Sequence, residues 1–271
     1  MTQAFAEGEF ELPARPAVLA ELSAELEAES PDFRKVSALI NKDLGLAAAV
    51  VSTANSPYFG VSGRITSVQH AINFLGLSQV FSLATGAMLR RAFPHQDPLV
   101  EAVWDLSAKR ASLMARLARN TRVPSDRAYT AGLFQDCGVV LLAVLAPEYR
   151  QTWQRTRWLP DAAAIELREH EIDHPTLSAL LVESWGLPAE IAQAVKFHHQ
   201  IDSLAALGLP ARSRSLVALS VLADFVLVRA LTKDASLWEA PFNTASAILE
   251  VPPMTSQTWV EQASSLLETS H

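Results

Sequence analysis

The chain has 271 residues, of which 49% are hydrophobic, 19% charged and 7% aromatic, and its formal net charge is −7. This apolar content supplies a large core and excludes a mostly disordered chain. The acidic balance speaks against general nucleic acid binding, because general duplex-DNA binders usually carry a basic surface or stripe. The length allows one large domain or two small ones.

Cysteine content and targeting signals indicate a cytoplasmic protein. Cys137 is the only cysteine, so no intrachain disulfide can form, and a lone buried cysteine is most often a small apolar filler. Residues 1–13 are acidic and lack the basic and apolar regions of a secretory signal. The longest apolar runs, 139–146 and 216–228, are too short or carry a charge, so no membrane insertion is predicted.

The first half of the chain is predicted to form a series of helices, because its apolar residues recur with helical period. Ser30 and Pro31 predict a helix start, with the serine as N-cap. Another helix is expected to end near Asn55, because the residue before Pro57 is pushed out of the α region. A loop follows, then a short helix closed by Gly76 and a longer helix.

The second half of the chain is also predicted to be helical. A long helix is expected over 98–119 and a single helix over 125–146, with Ser125 as its N-cap. Prolines and a glycine separate the helices that follow, and the residues after about Thr232 indicate a few short packed helices. The predicted fold class is therefore all-α, as a compact multi-helix domain.

Polar residues interrupt two of these apolar helices. Gln135 and Asp136 lie within the predicted 125–146 helix, and Asp224 lies in a mostly apolar run. An unpaired buried carboxylate is costly, so Asp224 is expected to have a metal, a histidine or a backbone donor as its partner. For Asp136 two interpretations stay open: a functional site, or a packed aspartate bonded to a helix end or an arginine.

Histidines provide two further candidates. His170 and His174 have the i, i+4 spacing of many zinc sites, but Pro175 speaks against α conformation at His174. We therefore expect His174 at an N-cap, with the next helix starting at Pro175. His198 and His199 are adjacent and would point about 100° apart on a helix, so one is expected to face inward and the other to lie at the rim. The alternative is a histidine that interacts favourably with a helix C-terminus.

Arginines cluster in the middle of the chain and include Arg90, Arg91 and Arg110. The cluster is either a solvated helix face or a patch for an anionic ligand or partner. No phosphate-binding glycine loop, nucleophile elbow or zincin helix is recognisable.

Several segments together resemble the HDOD family, bacterial signalling domains related to the HD phosphohydrolases. The resemblance covers about residues 10–202 and the helix that holds Asp224. The segments that carry it are Leu12-Pro13, Asp43–Leu46, Ala54–Ser56, Ala71–Gly76, AGLFQDCGVVLL, DHPTLSALLVESWGLP and AVKFHH.

This resemblance implies an HD-domain-like helical core with an N-terminal helical subdomain. It predicts a tail at 1–9, an HDOD-like domain made of parts 10–95 and 96–205, and a helical extension at 206–271. The extension includes the Asp224 helix and is expected to pack on the domain.

The resemblance also implies a degenerate metal site, because the HD relatives hydrolyse phosphate esters with metals held by histidines and aspartates. Leu106 and Gln135 stand at the positions of two lost ligand histidines, and Ser178 replaces a glycine. The vestigial candidates are Asp136, His174, one of the pair His198 and His199, and Asp224. A glutamine amide cannot replace an imidazole for a transition metal, so a metal-free hydrogen-bonded network of Asp136, His174 and Asp224 is predicted.

Three functions are compatible with the resemblance. The preferred one is a non-enzymatic signal-transduction domain without a cofactor, which binds signalling proteins through the 55–63 loop region and the helices near Arg90. The first alternative is a metal-dependent phosphohydrolase or phosphodiesterase with iron, manganese or zinc, in which Arg110 takes the phosphate. The second alternative is a nucleotide or small-anion sensor that keeps the pocket without the chemistry.

Overall fold

A computed structural model of the protein describes residues 12–60, 63–93 and 97–268. These residues form α-helices and three short 3₁₀ helices, and no strand occurs among them. The predicted all-α class is thereby confirmed.

The chain forms two compact units. One lies within residues 14–94, and the other lies within 95–271 and also takes in Leu12 and Pro13. The carbonyl of Pro13 accepts a hydrogen bond from the indole of Trp185 at 2.8 Å, which attaches this short segment to the second unit. The predicted tail at 1–9 lies outside the described residues.

Within its described residues, the first unit contains five α-helices and the 3₁₀ helix Pro57–Phe59. The α-helices are α1 (Ala17–Leu26), α2 (Phe33–Asn41), α3 (Leu44–Ala54), α4 (Val68–Leu75) and α5 (Leu77–Arg91). Asn55 follows α3 and fixes the chain beyond it, since its side-chain amide both accepts from the N–H and donates to the carbonyl of Ile65, each at 2.8 Å. A single side chain thus joins two segments ten residues apart.

The second unit contains the remaining helices. They are α6 (Pro98–Ala118), α7 (Ser125–Phe134), α8 (Cys137–Leu145), α9 (Tyr149–Thr156), α10 (Ala162–His170), α11 (His174–Ser184), α12 (Ala189–Phe197), α13 (Ala211–Thr232), α14 (Glu239–Ile248) and α15 (Pro253–Glu268). Helix α13 packs against α6, α12 and α14 and is buried along most of its length. Its long apolar sequence therefore belongs to a helix enclosed on most sides.

The predicted starts of α2 and α11 are wrong by two residues and one residue, respectively. The N-cap of α2 is Asp32, not Ser30, because the Asp32 carboxylate accepts from two backbone N–H groups of the first turn. Helix α11 begins at His174 itself and is capped by Asp173. Pro175 fits in its first turn, where a missing N–H leaves no hydrogen bond unmade.

The helix predicted over 125–146 is in fact two helices. Gln135 and Asp136 form a turn between α7 and α8, and Asp136 has φ −109° and ψ 12°, outside α conformation. Ser125 is the first residue of α7 rather than its N-cap, a position taken by Pro124. The polar pair thus occupies a break between helices, from which both side chains reach neighbouring helices.

Two helical stretches, Ser125–Leu145 and α13, are long and apolar enough to cross a membrane, and α2 with α3 would add a third if this pair, bent by 116°, were one span. The predicted apolar runs 139–146 and 216–228 lie within these longer stretches, so length and composition by themselves do not exclude a membrane span, contrary to the expectation from the sequence. In the fold, 83% and 67% of the two apolar windows are buried against the rest of the chain. Core packing accounts for their apolar character.

Candidate functional site

Polar side chains from six parts of the second unit meet in its interior. They are Arg110 of α6, Gln135 and Asp136 of the turn before α8, Glu166 of α10, His174 of α11, His198 and His199 after α12, and Asp224 of α13. We call this set the buried polar cluster. It contains every vestigial metal candidate predicted from the sequence.

Arg110 lies between two carboxylates of this cluster. Its Nε donates to Asp224 Oδ1 at 2.7 Å, and its Nη1 lies 2.9 Å from Asp136 Oδ2. The second contact is an ion pair whose angle is outside hydrogen-bond geometry. Gln135 Nε2 donates to the other oxygen of Asp224 at 2.9 Å. Because Arg110 and Asp224 are only 5% and 6% exposed, each charge depends on its neighbours for compensation.

The guanidinium of Arg110 keeps its charge in this position. Burial by itself lowers the pKa of Arg110, but the nearby Asp136 and Asp224 carboxylates outweigh burial and raise it above its ordinary value. A positive charge is thus held permanently between two carboxylates, one from the turn before α8 and one from α13.

The predicted hydrogen-bonded network of Asp136, His174 and Asp224 is wrong, because both aspartates are paired with Arg110 instead. Asp224 is bonded by Arg110 and Gln135, whereas a metal, a histidine or a backbone donor was predicted. Asp136 Oδ1 lies 3.7 Å from the Nε2 atoms of both His174 and His198, which is too far for a hydrogen bond. The arginine interpretation of Asp136 is the one observed.

The imidazoles of His174 and His198 face each other, with their Nε2 atoms 3.2 Å apart. Nδ1 of His198 is 2.6 Å from the carbonyl oxygen of Val195, which can only accept, so this nitrogen carries the proton. Nδ1 of His174 is 2.6 Å from Glu166 Oε2 and donates to it. The Nε2 contact is therefore favourable only when a proton or another cation lies between the two nitrogens.

A proton on His174 satisfies this arrangement. Burial lowers the pKa of His174, but Glu166 and then Asp136 raise it above its ordinary value overall. Burial, followed by the neighbouring His199 and His174, holds the pKa of His198 well below its ordinary value. Burial raises the pKa of Glu166, yet His174 outweighs burial and lowers it. These shifts favour a protonated His174, paired with the Glu166 carboxylate and able to donate to a neutral His198.

Glu166 is the cluster residue that the sequence reasoning missed. Its carboxylate also accepts from the backbone N–H of His174 at 2.9 Å and from the hydroxyl of Tyr149 at 2.6 Å. The available signal was the buried face of α10, which Glu166 shares with Ala162, Ala163 and His170. The neighbouring charged residues Arg168 and Glu169 obscure this face in the sequence.

His198 and His199 both reach the cluster, but His198 is buried whereas His199 is half-buried and also lines a neighbouring cavity, which agrees with the prediction of one inward and one rim residue. Helix α12 ends at Phe197, and the 100° separation of helical neighbours does not apply to residues beyond it. Their ring centroids are 4.3 Å apart, and Nδ1 of His199 is 2.8 Å from the carbonyl oxygen of Pro160. Ligand nitrogens of His174, His198 and His199 lie within 4.8 Å of one another.

His170 lies apart from this group. Its Nε2 is 2.9 Å from the hydroxyl oxygen of Thr152, and its ring packs edge-on against Tyr149. Helix α10 ends at His170, and Glu171 follows in the left-handed region with φ 63°. His170 and His174 therefore belong to different helices, and an i, i+4 metal chelate does not form.

Close packing of α8 on α11 positions His174. A Cβ atom added to Gly138 would lie 2.1 Å from the backbone oxygen of His174 and 2.9 Å from the backbone nitrogen of Ser178. The N–H of Gly138 donates to the Ser178 hydroxyl at 2.7 Å. Ser178, which by the resemblance stands in place of a glycine, thus supplies the acceptor for a buried N–H at the helix contact.

The cavity beside the cluster has a volume of about 30 Å³. A water molecule needs roughly 10–15 Å³, so the cavity has room for one or two waters or a small ion. Leu106 lines it one helical turn before Arg110, which places an apolar side chain where the resemblance implies a lost ligand histidine. Pockets for larger ligands measure about 300–1,000 Å³, so no nucleotide fits in this cavity.

Arg110 is not part of a surface patch, which corrects the predicted grouping with Arg90 and Arg91. The latter two are exposed at the end of α5, and Arg91 forms an ion pair with Asp43 at 2.5 Å. Arg110 differs because its charge is buried and matched by two carboxylates of its own unit.

The residues fit a metal ion in part. The 3.2 Å separation of the His174 and His198 Nε2 atoms is close to that of neighbouring ligands around a zinc ion with bonds of about 2.0–2.1 Å. Nδ1 of each of the three histidines contacts an oxygen, an arrangement that orients Nε2 toward a metal. The carboxylate side fits poorly, because Arg110 already occupies the space between Asp136 and Asp224.

The fold and the buried polar cluster define the class of protein: an all-α domain whose second unit gathers histidines and aspartates from several helices. The HDOD domain model matches residues 12–201. The chain therefore belongs to the HDOD family, as the resemblance indicated.

Known proteins similar to this chain support the fold. A candidate phosphohydrolase from Shewanella amazonensis superposes with a TM-score of 0.73 at 17% identity, covering 98% of this chain and 95% of its own. A candidate signal transduction protein from Marinobacter aquaeolei has a TM-score of 0.71 at 24% identity, covering 95% of this chain and 59% of its own. An uncharacterized protein of Treponema pallidum is 23% identical over 199 residues, 70% of this chain. The chain spans only 38% and 27% of the lengths of the curated relatives it matches.

Proposed function

We propose that this chain is a non-enzymatic signal-transduction domain of the HDOD type with a degenerate metal site. The observation that carries the proposal is the guanidinium of Arg110 between Asp136 and Asp224. By resemblance these aspartates stand at metal-ligand positions, and Gln135 and Leu106 stand where two ligand histidines are lost.

Arg110 supports this reading through its charge. A guanidinium between the two carboxylates supplies the compensation that a metal ion would otherwise supply, and it repels an incoming divalent cation. The histidine side of the cluster needs no metal either, because a proton on His174 satisfies its contact with His198. Every strong charge of the cluster therefore has a partner within the chain.

Such a domain would act by contacts with other proteins. The relative from Marinobacter aquaeolei is described as a candidate signal transduction protein, which agrees with this role. We propose signalling proteins as its partners and the cytoplasm as its location, with no membrane insertion and no general nucleic acid binding.

Metal content and turnover of the purified protein test the proposal together. We expect less than stoichiometric iron, manganese and zinc by elemental analysis, and no hydrolysis of bis-p-nitrophenyl phosphate with any of these metals added. Stoichiometric metal together with turnover would contradict the non-enzymatic role. The same assays on Arg110→Lys compare the two cations, because lysine keeps the positive charge but lacks the several N–H donors of the guanidinium.

A metal-dependent phosphohydrolase is the second candidate, favoured by the convergence of His174, His198 and His199 within 4.8 Å. Iron, manganese or zinc bound there would supply Lewis acid chemistry for a phosphate ester. In that case the chain's own residues would hold the ion through Nε2 atoms, and Glu166 would orient His174. This candidate predicts that His198→Ala abolishes both metal retention and turnover.

A nucleotide or small-anion sensor is the remaining alternative. The cavity of about 30 Å³ speaks against a nucleotide in the cluster itself. For a small anion, a rise of the melting temperature with inorganic phosphate and without turnover would support it, since a ligand that binds only the native state stabilises that state.

A further inference from the structure

A second, larger cavity of about 600 Å³ opens beside the buried polar cluster. It lies between α10, the segment after α12, the 3₁₀ helix Ser236–Trp238 and the start of α14. Its volume is in the range of sites that bind ligands or peptide side chains, about 300–1,000 Å³. We call it the lateral groove.

Apolar side chains line much of the lateral groove. They include Ala164, Leu167, Ile201, Val221, Leu237 and Pro241. Leu167 and Leu237 are 54% and 61% exposed, which places two large apolar side chains in contact with water. Exposed leucines that border the same concave surface are typical of a binding site for apolar groups.

The charged side chains that line the lateral groove are all negative. Asp161, Asp173 and Asp202 line it, and no lysine or arginine does so among the residues that the structure describes. None of the three aspartates has an ion-pair partner within the described part of the chain. Asp173 also caps α11 by accepting from the N–H of Thr176, so the exposed Asp161 and Asp202 are the charges most available to a positive partner.

We infer that the lateral groove binds a basic amphipathic segment of a partner protein. Apolar side chains of the segment pack on Leu167 and Leu237, and its lysine or arginine residues meet Asp161, Asp173 and Asp202. This is the arrangement by which grooves bind amphipathic helices, with apolar anchors in the groove and charges at its edge. The inference rests on the proposed interaction role and names the chemistry of the partner.

A second copy of this chain suits the groove less well. The chain has a net charge of −7, so two copies repel each other on average. A basic segment gains electrostatic attraction instead, which also speeds its association at low salt.

The lateral groove is connected to the buried polar cluster. His199 and Trp238 line both the groove and the small cavity beside Arg110. A bound segment therefore contacts residues whose other sides face the cluster. Through these two residues, a change in the buried polar cluster can affect a bound partner, and a bound partner can affect the cluster.

A display library of random 14-residue peptides, selected against the full chain, tests the inference. We expect enrichment of peptides that combine leucine, phenylalanine or tryptophan with several lysines or arginines. The best peptide, synthesised with a fluorescent label, is then measured by anisotropy for its Kd at low and high salt. Binding should weaken with salt, because exposed charges are screened.

Variants locate the peptide on the chain. Leu237→Asp should weaken binding at least about tenfold, as expected for loss of a central apolar anchor. The double variant Asp161→Asn, Asp202→Asn should weaken it several-fold and reduce its salt dependence. The matched controls Leu231→Asp and Asp105→Asn alter exposed residues away from the groove and should leave the Kd within about twofold.

Three results would overturn the inference. One is selection of acidic or uncharged peptides, or of none at all. Another is binding that Leu237→Asp leaves unchanged. The third is a dimer, detected by analytical ultracentrifugation, that Leu237→Asp dissociates, since this would assign the groove to a second copy. The metal and turnover assays read only the buried polar cluster, so failure of the proposed function is distinguishable from failure of this inference.

Discussion

At the scale of single residues, Arg110 dominates the electrostatics of the second unit. Replacing it by methionine leaves Asp136 and Asp224 without their cation. Removing one partner from a buried ion pair costs about 3–5 kcal/mol, so we expect Arg110→Met to reduce the free energy of unfolding by that amount. Urea denaturation followed by circular dichroism measures this.

An exposed ion pair provides the control for Arg110. Arg212 pairs with Glu190 at 3.3 Å and is largely exposed, so Arg212→Met should cost less than about 1 kcal/mol. Equal effects of the two substitutions would mean that the contacts of Arg110 contribute no more than a surface pair.

Glu166 sets the protonation of His174, and this gives a pH-dependent prediction. Because the pKa of His174 is raised in the folded state, its contribution to stability is fully present below the unfolded pKa of about 6.5. This contribution to stability is lost as pH rises through the pKa of His174 in the folded state. Glu166→Gln should lower the pKa of His174, and its destabilising effect should be larger at pH 6 than at pH 9.

Two measurements check the Glu166 prediction. NMR titration of the imidazole nitrogens reports the pKa of His174, and denaturation at each pH reports the stability. Glu169→Gln is the matched control, since Glu169 lies on the same helix but is exposed and pairs with Arg155. If the pKa of His174 is unchanged in Glu166→Gln, the Glu166 carboxylate does not stabilise the proton on His174.

Sequence reasoning identified most cluster residues individually, but it left their partners undetermined. Asp224 was recognised because a carboxylate in an apolar run requires compensation. Arg110 was assigned to an anion patch, since its burial is not visible in the sequence. Glu166 was missed because helix α10 carries charges on both of its faces.

At the scale of helices, the contact between α8 and α11 makes a sharp prediction. Gly138→Ala would bring a Cβ within 2.1 Å of the backbone oxygen of His174, and neither backbone can move freely. Overpacking of this kind costs about 1–3 kcal/mol or more. We expect reduced stability and altered NMR signals of the His174 ring.

Gly45 offers the comparison for Gly138. A Cβ there would meet only the guanidinium of Arg91 at short distance, which is the flexible end of an exposed side chain. Gly45→Ala in α3 should therefore be nearly neutral, because the gain in helix propensity, about 1 kcal/mol, offsets the disturbed surface pair. Similar losses for both alanines would argue against close contact between α8 and α11.

The positions of most helices were predictable from the sequence, whereas the residues at which several of them begin or end were not. Apolar period marks the buried face of a helix, so most helices appeared in the predicted places. The break at Gln135 and Asp136 was not visible, because the apolar pattern continues across it. Capping by Asp32 and Asp173 depends on local hydrogen bonds that several nearby residues could have made.

At the scale of the whole molecule, α13 belongs to the second unit although it lies beyond the family match at 12–201. Ending the chain at residue 205 removes Asp224 from Arg110 and exposes the faces of α6 and α12 that pack on α13. We expect this truncated chain to lose cooperative thermal unfolding of the second unit and to be cleaved rapidly by protease.

The full-length variant Asp224→Asn distinguishes the packing of α13 from the charge of Asp224. It keeps α13 in place and should melt cooperatively, at a lower temperature than the unchanged chain, because Arg110 loses one carboxylate. A truncated chain as stable as the full chain would mean that α13 is an independent extension.

The sequence by itself determined that the protein is helical, that it resembles the HDOD family and that Asp224 requires a partner. Periodicity, proline positions and residue chemistry are local, and they suffice for those conclusions. Only the tertiary structure decided that the partners of Asp224 are Arg110 and Gln135, which are 114 and 89 positions away in the chain. Contacts over such separations depend on how whole helices pack, and no pattern within a few turns of one helix specifies them.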